Sequence, residues 1–188
     1  NPQRWNKVYK DFKGERLSVW NEFPTPFFTD KISFLKKNGM NKILDAGCGD
    51  GRNLKAFSEA GFEVVGVDSS DQALKRVKNV HNDITVLNAD IRRLDYVEEF
   101  DVVLCDYFLM HMEDQKEIIT KFYNLLKSDG LLIAQFLSIN DPSFGEGEKY
   151  NSDAFLKNEI LTRYNTKEEI RELLGGFEIL EIQELSHN

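Results

Sequence analysis

Cysteine is scarce in this chain. Only Cys48 and Cys105 occur among 188 residues, far apart and each in apolar surroundings. That excludes a disulfide framework. Without a histidine partner pattern it also excludes a zinc site, so no metal ligands are expected. A reducing cytoplasm is the natural compartment for such a sequence. Long apolar runs are lacking too. No stretch approaches the roughly 18 residues of a membrane-crossing helix. The opening NPQRWNKVYKDFKGER holds no apolar signal-peptide region, so no membrane partner is expected. Basic residues are in deficit, with 24 Lys and Arg against 32 Asp and Glu for a net charge of −8. A broad nucleic-acid footprint would need clustered basic side chains; nucleic acid is not expected as a partner. Repeats and low-complexity tracts are absent as well.

What is present is ordinary globular material, 41% hydrophobic and 30% charged. The length suits one domain, 1–188, able to bury roughly 70% of its unfolded surface. The first 25 residues are polar with interspersed aromatics, among them Trp5, Tyr9 and Trp20. The spacing predicts a short helix over 4–13 and a second over 27–37, stopped by Asn38-Gly39. Strands and helices then alternate. KILDA, FEVVGVD, ITVLNAD, FDVVLCDYF and LLIAQFL read as strands. Helices are expected over RNLKAFSEAG, over SDQALKRVKNV with Ser70 as N-cap, and over EDQKEIITKFYNLLKSDG. Residues 139–165 read as irregular with a short helix near 152–158. A helix KEEIRELLGG follows, with a capping box from Thr166 to Glu169, and then a last edge strand, FEILEIQEL. Strands separated by helices imply right-handed βαβ units, and hence a doubly wound, mostly parallel α/β sheet.

In such a sheet, ligands sit outside the carboxyl ends of the strands near the switch point. LDAGCGDGRN ends the first strand and opens a helix. Its glycines Gly47, Gly49 and Gly51 permit positive φ and close approach of a ligand to backbone. Dinucleotides use G-x-G-x-x-G with a pyrophosphate on the helix N-terminus. Here the spacing is G-x-G-x-G, and Asp45 and Asp50 flank it. Two carboxylates would repel a pyrophosphate; they suit an ammonium and a sulfonium, and S-adenosylmethionine carries both. Asp68 ends the second strand, where a carboxylate can accept from both ribose hydroxyls, although a nicotinamide dinucleotide would place an acid there too. Asp90 can accept from an adenine amino group and Ile91 can cover the ring. The fourth strand brings Asp106, Tyr107 and Phe108 to the same edge.

As an ordered set over residues 41–137, these motifs resemble a class I S-adenosylmethionine-dependent methyltransferase. Trp5 and Tyr9 near the start, PTPFF before the loop and DPSFGEGEKY after the fifth strand resemble the small-molecule enzymes of the tellurite-resistance and thiopurine type. The resemblance implies a helical cap or lid at 1–38, a cofactor-binding core at 39–138 and a substrate-side segment at 139–188. It implies cofactor contacts from Asp45, Gly47, Cys48, Gly49, Gly51 and Asn53 in the loop. Further contacts are implied from Asp68 and Ser69, from Asp90 and Ile91, and from Asp106 and Tyr107, with Trp5 and Tyr9 closing over them. Such sheets carry a seventh, antiparallel strand. The sequence given ends at Asn188, just past FEILEIQEL, so either a tail is missing from it or the sheet edge is built differently.

Other readings stand beside these. The glycines suit any tight strand-to-helix turn, and Asp45, Asp68 and Asp90 suit helix capping. Cys48 reads as a small residue packed under the ligand, and Cys105 as a strand residue without the preceding proline of a cytosine-type nucleophile. His111 and Asp106 are the candidate catalytic bases for an oxygen or nitrogen acceptor; a soft thiol or chalcogen acceptor needs none. His111 could equally cap the next helix, and the Trp5–Tyr9 helix could simply pack on the sheet. The expected function is methyl transfer to a small molecule by a monomer or weak homodimer. A non-catalytic cofactor-binding module is the alternative, and the glycine spacing disfavours a nicotinamide-dependent oxidoreductase.

Overall fold

The computed structural model describes residues 2–12, 23–81 and 83–185; Trp20 lies outside them. Three helices open the chain: α1 (Pro2–Asp11), α2 (Pro26–Thr29) and α3 (Ile32–Lys37). The single helix expected over 27–37 is thus broken at Asp30–Lys31. There follow β1 (Lys42–Ala46), α4 (Arg52–Glu59), β2 (Glu63–Asp68), α5 (Asp71–Val80) and β3 (Thr85–Asn88). Then come β4 (Phe100–Cys105), α6 (Gln115–Leu125) and β5 (Leu126–Ala134). These five strands form one sheet in the order β3-β2-β1-β4-β5, every pairing parallel. The order reverses between β1 and β4, so the switch point lies where Asp45 and Asp106 leave the sheet.

The strands bury both faces, which is why they read as near-continuous apolar runs. Leu44, Ala46, Val103 and Cys105 face one side, against Ile118, Ile119 and Phe122 of α6. Ile43, Val102 and Leu104 face the other, against Phe28, Leu35, Leu54, Phe57 and Leu74. Ser70 caps α5 by accepting from the Ala73 N–H, and Thr166 and Glu169 form the expected capping box. α6 stops at Leu125, earlier than the sequence suggests, and β5 begins at once. Its SDG segment becomes an irregularity in the ladder: Phe100 pairs with Leu126 and Val102 with Leu131, with Asp129 at φ 63°.

Two expectations fail beyond β5. Residues 139–165 are irregular only in part, with three strands among them, and 152–158 is not helical. β6 (Leu137–Ser138), β7 (Glu148–Lys149), β8 (Ala154–Lys157) and β9 (Ile160–Asn165) form a second sheet in the order β6-β9-β8-β7. After α7 (Lys167–Leu173), residues 177–185 form no ladder among the described residues, so the last edge strand is not there. Alternating apolar side chains report which way residues point, not whether a neighbouring strand exists. The second sheet is tied to the core by a buried amide pair. Asn165 Nδ2 donates to Gln115 Oε1 at 3.0 Å, and Gln115 Nε2 donates to Asn165 Oδ1 at 3.3 Å and to the Leu109 carbonyl at 3.1 Å. No helix among the described residues is long and apolar enough to cross a membrane.

Candidate active site

The glycine loop is shaped by its own backbone. Gly47, Gly49 and Gly51 all take positive φ, at 72°, 55° and 88°. The Gly47 and Cys48 N–H groups both donate to the Val67 carbonyl, and the Gly51 N–H donates to the Cys48 carbonyl. The Gly49 N–H donates to Asp68 Oδ2 at 3.0 Å, while Asp68 Oδ1 accepts from the Ser70 N–H at 2.8 Å. Asp68 is therefore not the cap of α5, which is Ser70's role. It pins the glycine loop to the end of β2. Burial pushes its carboxyl above the usual carboxylate range, opposed by these two N–H donors. Close approach is used as well: a Cβ on Gly47 would meet the Phe108 ring at 2.3 Å, and one on Gly49 the Tyr9 hydroxyl at 2.5 Å.

At the switch point two carboxylates converge. Asp45 is 2% exposed and Asp106 8%. Asp106 Oδ2 is held by Thr25 Oγ1 at 2.7 Å, by Asn53 Nδ2 at 2.9 Å and by the Arg52 guanidinium. Its Oδ1 is buried with no hydrogen-bond partner among the described residues. Burial first, and the neighbouring Asp106 second, push the Asp45 carboxyl up to about 8, with Arg52 opposing. Near neutral pH Asp45 keeps its proton and Arg52 is matched by Asp106, so the unmet demand of the site is the orphaned Asp106 oxygen. An ammonium group on a ligand would meet both the orphaned oxygen and Asp45.

The Asp45 shift carries a stability consequence. The unfolded chain gives up this proton near the ordinary 3.8, whereas the folded chain keeps it to about 8. Between those values the unfolded state binds fewer protons, so stability falls as pH rises, by about 1.4 kcal/mol per pH unit at most. Denaturation by urea from pH 5 to 8 is expected to show this decline. Asp45→Asn is expected to flatten it; an unchanged slope would place the titration elsewhere.

The remaining residues fall on either side. Cys48 and Cys105 are buried free thiols, both pushed upward by burial and so poor nucleophiles. Asp50 points to Arg76 of α5 at 3.7 Å, not beside Asp45 as an element of one acidic pair. Asp90 caps the 3₁₀ turn Ile91–Arg93 and is gripped by the Arg92 guanidinium, so its carboxylate is already engaged; Ile91 is 4% exposed within the core. Ser69 sits half-buried between Asp68 and Ser70. Tyr107, at φ 50°, lies under the Arg52 guanidinium at 5.3 Å and packs against Met110, Leu137 and Tyr164.

His111 is not a helix cap: Asp114 caps α6. Its Nδ1 lies 2.7 Å from the Leu161 carbonyl of β9, an oxygen that can only accept. Nδ1 therefore carries the hydrogen and Nε2 the lone pair. Burial holds the ring's pKa below its usual value, which favours the neutral form. The Trp5 ring meets it edge-on at 4.8 Å. Arg52, Thr25 and Leu161 are functional candidates that reading the sequence did not supply. Arg52 left one signal. A cation in the first turn of α4, with no acid there, opposes the helix dipole and so asks for a carboxylate partner.

Comparison with known proteins agrees with this geometry. Residues 44–134 match the model of the methyltransferase domain. The chain is 36% identical over 118 residues to a ubiquinone biosynthesis O-methyltransferase of Actinobacillus pleuropneumoniae, covering 56% of this chain and 49% of that protein. It is 33% identical over 117 residues to a glycine/sarcosine N-methyltransferase of Aphanothece halophytica, covering 54% and 42%. The chain thus spans about half the length of the curated relatives it matches. In fold it resembles the Burkholderia thailandensis 1,6-didemethyltoxoflavin-N1-methyltransferase, solved with that substrate and S-adenosylhomocysteine bound. The TM-score is 0.62 at 22% identity, over 94% of this chain and 78% of the other. Residues 44–134 thus resemble a methyltransferase domain, and the fold is that of the solved S-adenosylmethionine-dependent methyltransferases the chain matches.

Proposed function

We propose that the protein transfers the methyl group of S-adenosylmethionine to a small-molecule acceptor. The observation that carries this is the convergence of Asp45 and Asp106 at the switch point, with the buried Asp106 oxygen left without a partner. The residues present fit the cofactor. Asp45 and Asp106 would hold its ammonium group, and Arg52 lies where its carboxylate could exchange for Asp106. Asp68 would meet the ribose, with Gly47, Gly49 and Asn53 shaping the floor. When bound, the cofactor supplies a methyl group already activated by a sulfonium, so the protein's task is positioning and exclusion of water. Tyr9, buried against Gly49, and Trp5, against His111, support α1 as a lid over both halves.

Relatives named as O- and N-methyltransferases support an oxygen or nitrogen acceptor; His111 and Asp106 are our candidate bases for it. The likeness to tellurite-resistance and thiopurine enzymes rests on the chain's own motifs. We assign a monomer or weak homodimer acting in the cytoplasm, on the charge and cysteine usage above. S-adenosylhomocysteine at 100 times its dissociation constant is expected to stabilise the fold by about 2.7 kcal/mol, read as a rise in melting temperature. No shift at millimolar ligand would remove the cofactor assignment. Bound ligand without turnover of labelled S-adenosylmethionine on phenols, amines or thiols would leave a binding module.

A further inference from the structure

Helix α1 touches both the glycine loop and His111. On the cofactor side, Ser70 Oγ donates to Asn6 Oδ1 at 2.7 Å and the Gln72 N–H to the same oxygen at 3.4 Å, while the Tyr9 hydroxyl lies against Gly49. One turn away, Trp5 meets the His111 ring at an interplanar angle of 61°. His111 is held from the opposite element by the Leu161 carbonyl at 2.7 Å. The imidazole is thus fixed twice, by a hydrogen bond from the second sheet and by an aromatic edge from α1. Only the first of these is independent of whether α1 is seated. An edge-to-face aromatic pair is enough to set a ring's orientation but not to fold a domain.

We propose that Trp5 is a positioning residue for His111, completing the acceptor base only when α1 is seated on the cofactor loop, and that the acceptor is an O–H or N–H nucleophile whose proton His111 Nε2 removes. This rests on the methyl-transfer reading above. In the step, the acceptor's lone pair forms the new bond to the methyl carbon while the carbon–sulfur bond breaks and its electron pair stays on sulfur. The acceptor's proton passes to Nε2, leaving an imidazolium that returns it to water. A thiol would gain little from such a base, because it ionises near neutral pH without help. A phenol or amine gains about a hundredfold or more. The neutral Nδ1–H tautomer is the form that step requires, and the Leu161 carbonyl enforces it.

The test uses the full chain saturated with S-adenosylhomocysteine for spectroscopy and with S-adenosylmethionine for kinetics. Long-range nitrogen–proton spectra are expected to show His111 as the Nδ1–H tautomer in the wild type, Trp5→Phe and Trp5→Ala alike, because the Leu161 carbonyl sets it, with the His111 ring resonances broadened only in Trp5→Ala. With a catechol and an aniline as probes, Trp5→Ala is expected to lower kcat about tenfold or more. Its cofactor dissociation constant should change less, and Trp5→Phe should restore kcat to within about threefold. His111→Gln is expected to cost the catechol and aniline reactions about a hundredfold while sparing a thiophenol. A wild-type Nε2–H tautomer would overturn the proposal. So would equal loss in Trp5→Phe and Trp5→Ala, undiminished methylation of the catechol and aniline by His111→Gln, or bound cofactor with only the thiophenol methylated. Absence of S-adenosylhomocysteine binding by calorimetry would instead strike the methyl-transfer reading itself, and the His111 ring line widths of the unliganded chain, wild type against Trp5→Ala, would still decide the Trp5–His111 coupling.

Discussion

Asp68→Ala is expected to lose stability and cofactor affinity together. The wild-type carboxylate accepts from the Gly49 N–H at 3.0 Å and the Ser70 N–H at 2.8 Å. Removing it leaves two backbone donors without their charged partner, at a cost of about 2–4 kcal/mol in urea denaturation. That exceeds the loss of a simple helix cap, about 1 kcal/mol, because Ser70 and not Asp68 caps α5. Cofactor affinity is expected to fall tenfold or more, since a charged hydrogen bond contributes about 1.5–3 kcal/mol. Asp68→Asn keeps one acceptor and should recover part of the stability. Calorimetry on the folded fraction separates the two effects. Unchanged affinity there would show that Asp68 only holds the glycine loop.

Gly49→Val is expected to abolish S-adenosylhomocysteine binding, by more than about a hundredfold, while the five-stranded sheet persists. At φ 55° a β-branched residue is strained, by about 1–3 kcal/mol. Its Cβ would also lie 2.5 Å from the Tyr9 hydroxyl, so α1 has to move off the loop. The sheet touches this position only through the Asp68 carboxylate at the end of β2, and far-ultraviolet dichroism should stay close to wild type. A folded variant that binds normally would show that the loop serves some other purpose.

Most of the core was legible because its signals are local. The apolar runs of β1, β2 and β4, the Ser70 cap and the Thr166–Glu169 capping box each need only neighbouring residues to be read. The placement of Asp45, Asp68 and Asp106 at one sheet edge followed from strand order alone. What escaped depends on distant partners or on unusual turns. Thr25 and Asn53 meet at Asp106 across 81 and 53 residues of chain, and nothing near Thr25 announces that contact. Asp90 was open to ligand or cap, and only the seat of the Arg92 guanidinium decided for the cap in this structure. The β8–β9 hairpin was missed for a conformational reason. Its two-residue turn places Asn158 and Glu159 at φ 50° and 63°, which ordinarily asks for Asn-Gly. With glutamate in the second place the turn carries no glycine to advertise it, and the segment reads as helix.

The amide pair between Gln115 and Asn165 sets a limit on how this protein can diverge. Each side chain is buried and each satisfies the other. Changing one alone strands a donor and an acceptor in the interior, whereas an apolar pair of matching shape could replace both at little cost. The two positions are therefore free to drift only in concert. The sheet that carries Leu161 can exchange its exposed loops so long as this one joint is inherited intact.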